Sequence, residues 1–206
     1  MNMLKMTTKL LISLTLILTS QQFAWAYTLN GKHWAEPTCT ILLPSTLDRK
    51  VIKRFKYIAW QYRKNVPFKV RVQMLDGAWT SALEASYYAS ANSAIIVRYA
   101  PDEDYDQGTR VAHTDFVTSQ AGTRVHGTVI TVNDIRLREV AGDISQGIGL
   151  NYFASVLAHE TGHSFGLGHS IPGTKPTPIM TSGGKFSRLK NLGLTPDDRR
   201  GLHKIY

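Results

Sequence analysis

Residues 159–169 read His-Glu-Thr-Gly-His-Ser-Phe-Gly-Leu-Gly-His, and the spacing within them decides how this part of the chain must fold. At 3.6 residues per turn, His159 and His163 stand about 40° apart around a helix axis and one turn apart along it, so both imidazoles can reach one metal ion. Leu150, Phe153, Ala154 and Leu157 recur at helical spacing upstream. They extend this helix over 147–165 and form an apolar stripe from which the two histidines point away. Glu160 follows the first histidine directly and turns its carboxylate toward the open side of such a metal. There it can take a proton from a water and later return it to a leaving amine. A third ligand six residues beyond His163 cannot share that straight helix face. Gly166, free to adopt positive φ, is therefore expected to end the helix and turn His169 back to the same ion. Three neutral imidazoles leave a zinc ion its positive charge and a fourth position for water or a substrate carbonyl.

Downstream, Pro178-Ile179-Met180-Thr181 sits in a loop rich in Pro, Gly and Ser that runs through Gly184. The chain closes on Leu194-Thr195-Pro196-Asp197-Asp198-Arg199-Arg200-Gly201-Leu202, read as a helix from about Thr195 with Pro196 in its first turn. In these residues the sequence resembles the metzincin clan of zinc peptidases, whose extended motif H-E-x-x-H-x-x-G-x-x-H is followed by a methionine turn. Met180 fits that turn. Ser170, directly after the third histidine, and the closing stretch are similar to the matrixins, the group that includes the matrix metalloproteinases. The resemblance implies that Met180 forms an apolar floor beneath the ligands and that the paired aspartates tie the closing helix to the methionine turn. It also implies an α+β fold: a twisted, mostly parallel five-stranded sheet with one antiparallel edge strand, a long backing helix, an active-site helix and a C-terminal helix. In that family the edge strand pairs with an extended peptide substrate, a role expected in this chain of Thr128–Asn133.

The first half of the chain reads as sheet with one long helix. Cys39 to Leu43, Phe68 to Met74, Ala94 to Tyr99 and Thr128 to Val132 suit strands, and Val111 to Val117 is a weaker candidate. Leu47, Val51, Phe55, Ile58, Ala59 and Tyr62 recur at helical spacing after a cap at Ser45 or Thr46. The basic residues of that helix, Lys50, Lys53, Arg54 and Arg63, read as a solvated face.

At the N-terminus, Lys5 and Lys9 precede an uncharged run from Leu10 to Thr19, and Ala24-Trp25-Ala26 offers small residues at a cleavage position. Residues 1–26 thus read as a secretory signal peptide, the apolar run of about ten residues being well short of the roughly 20 that span a bilayer. A secreted or periplasmic location is expected, with no integral membrane anchor after cleavage. Residues 27–206 are read as one catalytic domain, expected to be monomeric. Removing Lys5 and Lys9 lowers the formal charge from +9 to +7. No nucleic-acid motif accompanies this basic balance, so protein or peptide substrates are the expected partners.

Cys39 is the only cysteine, which rules out an internal disulfide. Its setting, Pro37-Thr38-Cys39-Thr40, lacks the pattern of the cysteine that keeps many matrixins latent, and it reads as a small residue of the first strand. How activity is regulated without an evident propeptide is left open. His113 and His126 have a spacing similar to that of two ligands of the extra zinc site in matrix metalloproteinases. Asp102 or Asp104 could join them, so a structural zinc or calcium beside the catalytic zinc is kept open. The function expected is a secreted zinc endopeptidase. The alternatives are an amidase acting on cell-wall peptides, and an inactive binding module stabilised by zinc. A structural zinc site closes its fourth position with another residue, whereas this motif supplies three ligands and a base.

Overall fold

The computed structural model describes residues 27–75, 82–100, 110–171, 179–181 and 193–206. The expected leader, the acidic loop bearing Asp102 and Asp104, and most of the loop around Gly184 lie outside the described residues. Six strands are described: β1 (His33–Trp34), β2 (Thr38–Pro44), β3 (Lys69–Leu75), β4 (Ala94–Ala100), β5 (Ala112–Thr118) and β6 (Arg124–Asn133). The described helices are α1 (Arg49–Arg63), α2 (Ala82–Ala91), α3 (Asp134–Ala141), α4 (Gly147–Ser164) and α5 (Pro196–Ile205).

The five longer strands stand in the order β3-β2-β4-β6-β5, parallel throughout except for β5. This is the mostly parallel sheet with one antiparallel edge strand. The two-residue β1 adds a short parallel pairing to the start of β6. The Thr123 and Val125 carbonyls accept from His33 and Ala35, while the intervening Arg124 carbonyl accepts from Ser119. Successive carbonyls point to opposite edges of a strand, so β1 shares the β4 side of β6 and β5 has the outer edge to itself.

That arrangement corrects one expectation. Thr128–Asn133 is interior to the sheet, bonded to β4 on one side and β5 on the other, and cannot be the edge that pairs with a substrate. The apolar run of β6 is buried along almost its whole length, the pattern of a strand covered on both faces. The half-buried β5 is the edge. Periodicity finds a strand but does not name its neighbours.

Helix α1 buries Val51, Phe55, Ile58, Ala59 and Tyr62, the stripe read from the sequence. Its cap is Asp48, whose carboxylate accepts from the Lys50 amide at 2.7 Å, whereas the Ser45 amide donates across to the Leu75 carbonyl at the end of β3 and the Leu47 amide turns back to the Pro44 carbonyl. α2, which the sequence pattern did not disclose, covers the opposite face. Its Ala85 and Ala89 pack with Leu42, Ala94, Ile96 and Val129. Gly127 permits that contact, since a Cβ there would run into the Ala89 backbone.

The end of α4 is anchored by aromatic rings. Phe165 meets Tyr62 and Phe68 edge-on at 5.4 and 5.2 Å between centroids, and Trp34 at 6.1 Å. These rings come from α1, β1 and the start of β3, so three separate parts of the core fix the point where the chain leaves the helix.

Candidate active site

Helix α4 carries His159, Glu160 and His163 into the middle of the domain. It is buried nearly all round, because the sheet and α1 cover one side and the methionine turn another. The two histidines therefore do not face solvent opposite the Leu150, Phe153 and Leu157 stripe; they line a cleft. Gly166 has φ +94°, a conformation that costs other residues about 1–2 kcal/mol, and a Cβ there would also collide with the Lys32 carbonyl. The turn it makes returns His169 to the other two histidines.

The three rings converge through their Nε2 atoms. His163 Nε2 lies 3.1 Å from His159 Nε2 and 3.2 Å from His169 Nε2. His159 Nδ1 is 2.8 Å from the Ile179 carbonyl, and His163 Nδ1 is 2.8 Å from the Leu167 carbonyl. A carbonyl can only accept, so each Nδ1 carries the proton and each Nε2 presents a lone pair to the shared space. Burial holds His159 down to about 3, with the neighbouring His163 adding to the effect. Burial lowers His163 and His169 as well. Neutral imidazoles with lone pairs crowded into one space lack the positive charge that would hold them together. One cation supplies it, and a donor set of three imidazoles is a zinc set. Within the described residues this is the group with the geometry to hold a metal ion.

Glu160 is buried beside them. Its Oε2 lies 2.7 Å from the Thr114 hydroxyl of β5, which is also 3.1 Å from the Glu160 backbone carbonyl. Burial raises the Glu160 pKa, and the Thr114 hydrogen bond opposes that rise. Carboxylate and histidines line one cleft of about 680 Å³, with Val111 and, from β5, Ala112, His113, Thr114 and Phe116 along part of it.

The family model of the matrixins matches residues 75–206, well over half of the chain. The chain belongs to the matrixin family. It is thus a zinc metallopeptidase of the metzincin kind, a hydrolase whose substrates are peptides or proteins. No curated protein matches it in sequence. Among solved structures it is similar to archaemetzincin from Archaeoglobus fulgidus, determined with malonate, at 12% identity over 80% of this chain and 99% of that one, TM-score 0.43. It is also similar to archaemetzincin from Methanopyrus kandleri, at 15% identity over 85% and 96%, TM-score 0.46.

Within this matrixin, Met180 is buried with its Sδ against Gly162, on the helical turn between the first two histidines. The turn also contributes the Ile179 carbonyl that holds His159, and the Ser170 amide donates to the Met180 carbonyl at 2.8 Å. Asp198 closes the arrangement. Its Oδ2 accepts from the Thr195 hydroxyl and amide at 2.7 and 2.8 Å and from the Ile179 amide at 3.1 Å, so α5 is tied to the methionine turn. Burial raises the Asp198 pKa against the pull of those donors.

Sequence reasoning missed the strap at the start of the described chain. The Asn30 side-chain amide donates to the His163 carbonyl at 3.0 Å, and its backbone amide to the Gly166 carbonyl at 3.0 Å. Thr28 accepts from the Gly168 amide at 2.8 Å and donates from its hydroxyl to the His169 carbonyl. The strap thereby braces the loop that carries the third histidine. Thr114 was missed too, since alternation in β5 gives no hint of what its hydroxyl meets.

Two features carried over from the wider family take a different form. His113 and His126 are not brought together: His113 stands opposite Thr131 in the β5–β6 ladder, five residues along β6 from His126. Each ring meets its own carboxylate instead, Asp115 and Glu36, at 3.0 Å. Asp102 and Asp104 lie outside the described residues. Cys39 is fully buried in β2, where desolvation pushes its thiol well up; that is the environment of a small core residue and not of a metal-binding thiolate.

Proposed function

We propose that this matrixin is a secreted endopeptidase that holds one zinc ion on His159, His163 and His169 and uses Glu160 as its general base. The observation that carries the proposal is the convergence of three imidazole Nε2 atoms beside a buried carboxylate in the same cleft. Zinc in such a site supplies a Lewis acid that polarises a peptide carbonyl and lets water lose a proton near neutral pH. Glu160 moves that proton. With Oε2 engaged by Thr114, its other oxygen takes the proton from the attacking water and delivers it to the leaving amine. Among the described residues no strand pairs with the outer edge of β5, which runs along the cleft, so an extended peptide can lie there by strand addition. The leader reading of residues 1–26 supports export, and a monomer remains the expected state.

The test is hydrolysis of unfolded casein by the protein without residues 1–26, in wild type, Glu160→Ala and a chelated sample with zinc restored. Cleavage by wild type, recovery with zinc, and a Glu160→Ala protein that binds zinc but does not cut are expected. Zinc-loaded, folded wild type that cuts neither casein nor a peptide library would sink the proposal. An accompanying melt separates roles: a purely structural zinc predicts unfolding on chelation, a catalytic one a fold largely kept.

A further inference from the structure

Part of the cleft is walled by α3 and α4. Arg136 and Val140, four residues apart, share a face of α3; Tyr152 and Val156, likewise four apart, share a face of α4 that leads in one further turn to Glu160. The wall is apolar except for one guanidinium and the Tyr152 hydroxyl. Arg136 Nη1 donates to Glu139 at 2.8 Å, and both side chains are partly open, Arg136 at 39% and Glu139 at 54%, so the pair stands at the solvent side of the wall. The Arg136 Nε is shielded from solvent and meets no partner among the described residues. The Nε is closed to a ligand as it is to water, so what the cleft meets is the accessible part of the guanidinium. Tyr152, whose buried phenol is pushed up by desolvation, is pulled back by the Arg136 charge, and it lies two helical turns from Glu160. Among the described lining residues Arg110 and Arg136 carry fixed positive charge, and Glu160, committed to the reaction, is the sole carboxylate.

We infer that this matrixin selects substrates bearing a carboxylate close to the scissile bond, and that Arg136 is the residue that recognises it. The inference rests on the peptidase reading above and names its substrate class. The apolar neighbours Val140, Tyr152 and Val156 accommodate the stem of an acidic residue and exclude water, which strengthens the attraction between its carboxylate and the guanidinium. The planar fork of arginine matches a carboxylate in a way an ammonium does not. The carboxylate can belong to a Glu or Asp side chain or to a free C-terminus, and peptides distinguish the two.

Blocked peptides carrying Glu, Gln or Leu in turn at each position flanking the cut, and a matched set with a free C-terminal carboxylate, are offered to zinc-loaded wild type, Arg136→Gln and Arg136→Lys. Wild type is expected to favour Glu over Gln at one position by about tenfold in kcat/KM, the order of one charge-assisted hydrogen bond. Arg136→Gln removes the preference and Arg136→Lys keeps part of it, which a merely structural role for Arg136 would not produce. A preference confined to the second peptide set assigns the carboxylate to the terminus. The same peptides are titrated onto zinc-loaded Glu160→Ala, which reads binding without turnover. If wild type cuts and binds Glu and Leu peptides alike, the acid preference is overturned and the peptidase reading stands. If acidic peptides bind through Arg136 but nothing is cut, the peptidase reading falls and the anion pocket stands.

Discussion

Gly162 sits inside α4 between His159 and His163, and replacing it by alanine sets two effects of opposite sign against each other. By helix propensity alone the change stabilises by about 1 kcal/mol. A Cβ at this position, however, overlaps Met180 Sδ and stands 2.8 Å from the Tyr62 hydroxyl oxygen. A thioether can bend away where there is room, but Met180 is only 1% exposed and Tyr62 is fully buried. The Tyr62 hydroxyl donates to the Ala158 carbonyl at 2.8 Å, and pushing it aside leaves a buried polar group unmet, at about 1–3 kcal/mol. Overpacking costs a further 1–3 kcal/mol or so. Packing therefore outweighs propensity, and Gly162→Ala should destabilise the fold by about 3 kcal/mol, within a range of roughly 1–5, a fall in Tm of roughly 6–12 °C at the central value for a domain of this size. Displacing Met180 also moves the Ile179 carbonyl from His159, so zinc affinity should fall by about tenfold or more, as when a ligand loses its orienting partner. Thermal melts with zinc, and zinc affinity by competition with a chelator, check both. A Tm that rises by 2–4 °C or so, as propensity predicts, with zinc affinity unchanged, would refute the packing between α4 and the methionine turn.

Two further substitutions separate the proposed base from its scaffold. Thr114→Val keeps the shape of the side chain and removes its hydroxyl from Glu160; kcat/KM for a good peptide should fall by about tenfold, the order of one hydrogen bond to a charged group, with zinc affinity by chelator competition unchanged. Asp198→Ala strips acceptors from the Thr195 and Ile179 amides at once, and unfolding by denaturant should show a loss of about 2–4 kcal/mol, with activity per folded, zinc-loaded molecule largely kept.

The residues legible in the sequence are those whose geometry is set within one or two turns of backbone. His159 and His163 are four residues apart, and a helix alone makes them neighbours; Gly166 is three residues further on, and a positive φ alone turns the chain. The α1 stripe and the longer strands were legible for the same reason, as local periods of burial. What was not legible is what stands beside each element. Thr114 reaches Glu160 across 46 residues, and the Asn30 side chain reaches His163 across 133; no local period records such partners. β6 was found as a strand but misplaced as an edge for that reason. α2 escaped because its buried face is alanine, Ala85 and Ala89, and small residues packed on a sheet leave little hydrophobic contrast to read.

The division between ligands and their supports also bears on what counts as the functional unit. The family match begins at residue 75, yet the Ala158 carbonyl, just before His159, meets Tyr62. The turn at Gly166 closes on Lys32 and Asn30, and the ring cluster that seats Phe165 includes Trp34 and Phe68. All of these partners lie before residue 75. The motif specifies which atoms could meet a metal ion, while the upstream residues specify where those atoms are held. Since a catalytic geometry displaced by a fraction of an ångström loses much of its effect, the strap, β1 and α1 belong to the active site as much as the helix that carries the histidines.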